Sequence, residues 1–336
     1  MEILGLVWWE ALAAAAFAPL AVWLLWRLQT ATVEVLRRTL VKLVRYHGWL
    51  YSIVSWFGTF IHELSHAAVL LLSGHGIKEF RAGVEEGHVL PRRLRTGPLG
   101  FLFFAAAALA PLFIPPALLL GATWLLLDER LLTFDAAGPG LQAALDVLVA
   151  TFATFPKELA LAVARLDLAT PAGIAFALLA LVALPSSKPS FVKGKGGSRF
   201  HREGDEGDIA VLRRRLRANP WPFLGFLAVL YALYFALVPW APTAYWAPFQ
   251  VVWAIALTGA VLSLASAALW GLVAFTGRIH WLVQWIPLAA FVALQVLGRP
   301  ALDDLMLVNA VSLLAAAGTA LSLGLVARKR DPYARF

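Results

Sequence analysis

The chain has 336 residues, 61% hydrophobic and 14% charged, with 28 Lys+Arg against 20 Asp+Glu and no cysteine. Water-soluble domains carry roughly 45–50% apolar and about 25% charged residues, and disordered chains are poorer still in apolar side chains, so both classes are excluded and an integral membrane protein remains. The missing cysteine excludes disulfides, thiolate-bound zinc, iron–sulfur clusters and thiol nucleophiles; the net charge of +8 sits beside apolar segments, as a topology signal and an attraction to anionic lipid, not a nucleic-acid footprint.

A crossing helix needs about 20 mainly apolar residues. The first candidate runs from Ile3 to Trp26; with no basic leader and no clear cleavage site, it is expected to be retained. The second, Gly48 to Ser73, is uncharged along its first half and then carries His62, Glu63 and His66. The third, Pro98–Leu127, is long enough to tilt or to kink at Pro111, Pro115 and Pro116. Leu141–Phe155 and Glu158–Leu166 are apolar, but Pro156 and the flanking charges oppose one clean span there. Pro171–Leu184 is a short fourth candidate. Beyond a polar loop come Trp221–Trp240, Trp246–Phe275, Trp281–Leu297 and Leu305–Ala327, with Trp240, Tyr245, Trp246 and Trp281 as interfacial anchors. The expected fold is an all-α polytopic membrane protein with about eight transmembrane helices.

The loop Ser186–Asn219 is the most polar stretch, holding Arg213, Arg214, Arg215 and Arg217 beside the acidic run Glu203–Asp208. It divides the chain into a membrane-embedded core (1–185), a basic loop (186–220) and a C-terminal four-helix region (221–336). The positive-inside rule puts this loop and the basic tail (Arg328, Lys329, Arg330, Arg335) in the cytoplasm, and four crossings between them agree in parity. The loop His75–Thr96 then lies inside as well. Arg27–Arg45 falls outside under this scheme, against its basic character, unless Val33–Tyr46 is an amphipathic helix on the inner surface. The expected location is the plasma membrane, multi-pass, with a cytoplasmic C terminus. No strong internal repeat is visible.

Within the second apolar segment the chain reads Phe60-Ile61-His62-Glu63-Leu64-Ser65-His66-Ala67-Ala68, the pattern H-E-x-x-H. Residues four apart share a helix face, so His62 and His66 are placed to bind one metal ion, with Glu63 beside them as a general base. Neutral imidazoles with a carboxylate suit Zn²⁺. Three titratable residues in an apolar helix cost several kcal/mol unless paired or metal-bound. The bland reading is a hydrogen-bonded cluster that joins helices.

At these residues the chain resembles the site-2 protease family of intramembrane zinc metalloproteases. The resemblance rests on Phe60–Ala67 and continues through the polar stretch Gly74–Val89, where such proteins have strand-like structure at the membrane edge. Gly97-Pro98-Leu99-Gly100, opening the next helix, and Ala108-Leu109-Ala110-Pro111-Leu112 extend it; about residues 48–190 are covered. The resemblance implies a zinc metalloendopeptidase acting on membrane-protein or peptide substrates, with a short β segment after the H-E-x-x-H helix. It also implies a third, acidic zinc ligand. Leu166-Asp167-Leu168 lacks the glycine of the family's Leu-Asp-Gly motif. Leu184-Pro185-Ser186-Ser187 resembles a Pro-Ser pair but is followed by Lys188-Pro189-Ser190, with no acid. Asp205, Asp208, Asp303 and Asp304 are the other acids considered. Asp208 is favoured because it precedes a helix-like run, Ile209–Leu216; a solvated acidic loop is the competing reading.

Two rivals stand beside the enzyme. A transporter would use buried His and Glu as an ion path, although paired broken helices are not seen. An inactive protease-like membrane scaffold would account for a missing third ligand. His75, His88, His201 and His280 read as interfacial residues at loops or helix ends, and Asn309 as an interhelical hydrogen-bond donor. Lys193–Gly197 resembles a phosphate loop in composition only.

Overall fold

The computed structural model describes residues 49–84, 87–93, 97–128, 141–187, 208–237, 247–276, 285–300 and 304–330, with single positions at 23, 27, 31, 240 and 283. Apart from those single positions, the expected Ile3–Trp26 crossing and the Val33–Tyr46 segment lie outside the described residues, as do Lys193–Gly197, His201, Asp205, His280 and Asp303.

The H-E-x-x-H helix, α1, spans Trp49–Leu72. It ends where Gly74 takes a left-handed conformation (φ 72°): His75 N–H bonds back to the Leu70 carbonyl at 3.0 Å and Gly74 N–H to that of Leu71 at 3.0 Å. This pair of bonds satisfies the last carbonyls of the helix and turns the chain back on itself. The chain then forms an antiparallel hairpin, β1 (Ile77–Ala82) and β2 (Gly87–Pro91), in the register Phe80 opposite Val89 and Arg81 opposite His88. Both strands pack against α1, and the Phe80 ring meets Phe60 edge-on with centroids 5.9 Å apart. The strand segment expected in Gly74–Val89 is therefore present.

α2 (Gly97–Leu127) is 31 residues long, about 46 Å at 1.5 Å per residue, and runs through Pro111, Pro115 and Pro116. It packs against α1 and several of the helices that follow. α3 spans Leu141–Ala164; α4 (Pro171–Ala183) starts at Thr170, whose hydroxyl accepts the Gly173 N–H, and runs into a 3₁₀ turn, Leu184–Ser187. Then come α5 (Asp208–Ala218), α6 (Trp221–Leu237), α7 (Ala247–Thr276), α8 (Trp285–Gly298) and α9 (Leu305–Arg330).

Pro156 does not break α3, and α3 is not among the described helices long and apolar enough to cross a membrane, in line with the expectation of no clean span there. Phe155 and Leu159, on either side of it, are buried against Ala254, Leu257 and Ala260 of α7. An interior proline costs about 3 kcal/mol, whereas burying a large apolar side chain contributes roughly 1.5–3 kcal/mol each. Two buried side chains are enough to carry the helix through. Close packing serves the prolines of α2 as well. A Cβ at Gly259 of α7 would lie 3.3 Å from Pro116 Cγ and 3.5 Å from the Leu112 carbonyl oxygen. Pro116 deprives that carbonyl of its usual i+4 donor, so the small residue brings α7 directly over the weak point of α2.

Among the described residues three helices are long and apolar enough to cross a membrane: Gly97–Leu127, Gln250–Ala268 and Leu305–Val326. Pro171–Ala183, Trp221–Ala236 and Trp285–Gly298 are apolar but shorter. α1, read from sequence as a crossing, is not in that set, because His62, Glu63, His66 and its serines dilute its apolar character. Large apolar side chains point outward along several helices, including Leu72, Leu125 and Leu314.

Candidate metal centre

α1 presents two polar stripes. His62 and His66 lie on one; their ring centroids are 4.9 Å apart with planes at 79°. The His66 Nδ1 is 2.7 Å from the Ala107 carbonyl oxygen of α2. A carbonyl only accepts, so Nδ1–H is the donor and the lone pair of the neutral ring lies on Nε2. This is how metal-binding histidines are oriented: the bond at one nitrogen fixes the tautomer and aims the other. Two imidazoles bound tetrahedrally to one zinc at about 2.0–2.1 Å have ring centres roughly 5 Å apart. The centroid separation of the observed pair is close to that value.

The second stripe is Ser55, Thr59 and Glu63, at i, i+4 and i+8, all buried, Glu63 to 5% exposure. The hairpin covers it. Ser55 Oγ donates to the Val84 carbonyl, Thr59 Oγ1 donates to the Ser55 carbonyl at 3.0 Å, and Gly87 lies against Thr59 and Glu63. Glu63 thus sits under a sheet edge beside the histidine pair, shielded from bulk water.

The 3₁₀ turn with Pro185 and Ser186 packs against α1. Ser186 is buried, and its hydroxyl donates to the Ala183 carbonyl at 2.6 Å. The Pro-Ser pair therefore approaches the H-E-x-x-H helix, although the acid that the resemblance would place after it is missing.

The acids separate by position. Asp208 opens α5; its backbone is described, but its side chain lies outside the described atoms. Leu212, one turn on, packs on Ala105 and Ala108 of α2, which flank the Ala107 that holds His66. Arg215 lies over the Phe104 ring at 3.9 Å. Asp167 is engaged with the turn before α4 and with Arg299. Its carboxylate accepts the Ala169 N–H at 2.8 Å and pairs with Arg299, and these two bonds hold its pKa below the usual carboxylate value. Asp304 accepts the Met306 N–H at 2.8 Å and caps α9. Among the described residues no group of three His, Asp or Glu closes around a metal position.

His75, just past the end of α1, is buried, with Nδ1 2.7 Å from Ser73 Oγ and its ring edge-on to Phe103 at 5.7 Å. The helix-ending turn at Gly74 folds it back against Phe103 of α2. His88, by contrast, is partly exposed and pairs with Glu79 across the hairpin at 3.0 Å. Sequence reading also missed the Ala107 carbonyl, Gly87 and the Ser55–Thr59 stripe. Only the stripe had a signal, a polar residue every fourth position leading to Glu63.

Compared with known protein families, curated proteins and solved structures, the chain matches none.

Proposed function

We propose that this protein is an intramembrane zinc metalloendopeptidase of the site-2 protease type, cutting membrane-protein or peptide substrates. The observation that carries the reading is the His66 Nδ1–H bond to the Ala107 carbonyl, which orients one imidazole of a pair already at the spacing a single ion requires. His62 and His66 are two of the ligands. Asp208 is assigned as the third, supported by the seating of its helix, one turn on, against the residues around Ala107. When bound there, Zn²⁺ would acidify a water toward a pKa of about 7 and polarise a carbonyl.

The chain's own groups do the rest. Glu63 takes the proton of the attacking water as the C–O bond forms and the carbonyl π bond opens, then returns it to the amide nitrogen, so that the C–N bond breaks as the carbonyl re-forms and the amine departs. Burial beneath the hairpin keeps competing water away from that carboxylate. A substrate helix must unwind to expose its backbone, and the sheet edges, unpaired among the described residues, give an extended segment a place to pair. The outward apolar surfaces and long apolar helices support placement in a lipid bilayer, multi-pass; the positive-inside rule puts the arginines of α5 and the C terminus in the cytoplasm of a plasma membrane.

Metal analysis of the purified full chain tests this. One equivalent of zinc should be bound, and His62→Ala should lose it. Glu63→Gln should keep the zinc and abolish cleavage. A folded protein that never takes up zinc would return the chain to a non-catalytic scaffold.

A further inference from the structure

The hairpin lies so close to α1 that one position admits no side chain. A Cβ built at Gly87, the first residue of β2, would come within 2.6 Å of Glu63 Cγ, 2.7 Å of Glu63 Oε1 and 2.6 Å of Thr59 Cγ2. Real carbon atoms do not approach so closely, so something would have to move. Thr59 has little freedom: it is β-branched, lies within a helix, and is tied to the Ser55 carbonyl at 3.0 Å. The hairpin is held from the same side by Ser55 Oγ on the Val84 carbonyl and, further along, by Phe80 against Phe60. The Glu63 side chain has more rotatable bonds than the β-branched Thr59 and is the one that would give way. We infer that Gly87 is a positioning residue for Glu63: the bare backbone of β2 rests on the glutamate, selects its rotamer and keeps its carboxyl out of water.

The inference rests on the proposed role of Glu63 for its meaning, but the contact itself can be tested without substrate or metal. The full chain in detergent or lipid is treated at one fixed pH with the apolar reagent dicyclohexylcarbodiimide, and adducts at individual carboxyls are measured by mass spectrometry. In the native chain Glu63, 5% exposed, should label poorly. Gly87→Ala should raise labelling at Glu63 by roughly five-fold or more, the lower end of what one overpacked methyl does to an opening equilibrium. Asp167 and Asp304, elsewhere in the fold, should label as before; this separates a displaced glutamate from a loosened protein. Unchanged labelling at Glu63, or a rise spread equally over all three carboxyls, would overturn the inference. Either result leaves the zinc measurement on His62→Ala unaffected, so the contact and the reaction fail separately.

Discussion

Among the described residues, the buried polar cluster around Asn309 and the one on α1 are built differently. Around Asn309 the hydrogen bonds form a closed set. Its Nδ2 donates to the carbonyls of Ala164 at 2.7 Å and Leu166 at 3.0 Å, and its Oδ1 accepts from Gln295 Nε2 at 2.8 Å. Both amide hydrogens are used, and the carbonyl oxygen is engaged. The cluster joins the end of α3 to α8 and α9, and Asp167–Arg299 continues it at the helix ends. On α1 the cluster is directed by its neighbours: His66 commits one ring nitrogen to a backbone carbonyl, which fixes where the other points, and the Glu63 side chain packs under Gly87. A closed network stabilises one packing, whereas a directed one holds chemical groups ready for a ligand.

The contrast can be broken from either side, and the largest effect should come from the directed cluster. His66→Ala should abolish stoichiometric zinc binding, read by metal analysis. It should also destabilise the fold by about 1–3 kcal/mol, because the buried Ala107 carbonyl loses its donor. Asn309→Leu should cost a similar roughly 1–3 kcal/mol in denaturation measured in detergent, through the groups it strands, while zinc stoichiometry stays as in the native chain. If that variant lost its zinc, the two clusters could not be regarded as separate.

A smaller effect should come from Asp167. Its pKa is lowered by the Ala169 N–H and then by Arg299, so its stabilising contribution is fully present above the ordinary carboxylate value of 3.8 and is lost as pH falls through the lowered folded value. Melting of Asp167→Asn beside the native chain should show a modest deficit at neutral pH that narrows below 3.8. A deficit that widened with acid would contradict the assigned sign. The smallest effect belongs to Glu79 and His88, which are largely exposed on the hairpin. Glu79→Gln should change stability by less than about 1 kcal/mol, and any larger shift would mean that the hairpin's outer face matters more than its seat on α1.

Much of this was legible in the residues. The helix boundaries from Trp221 onward follow apolar runs that end at Pro, Gly and charged residues, and α7 and α9 fall close to their expected limits. The H-E-x-x-H spacing alone put His62 and His66 on one face, and Asn309, read as an interhelical donor, has that role. Local spacing did not show where Pro156 and His75 come to lie: Phe155 and Leu159 beside the proline pack on α7, and the folded-back turn brings His75 against Phe103.

Periodicity and composition are short-range properties, and they determined what the sequence could determine alone: an apolar helical protein with paired imidazoles and a neighbouring carboxylate on one helix. Tertiary structure decided which backbone carbonyl orients His66, which glycine rests on Glu63 and which acids were taken up by other duties. Each of those depends on where α2, the hairpin and α9 come to lie against their neighbours. A hydrogen bond or a steric contact between residues tens of positions apart leaves no trace in local spacing, because the chain between them sets no fixed distance until the core has packed.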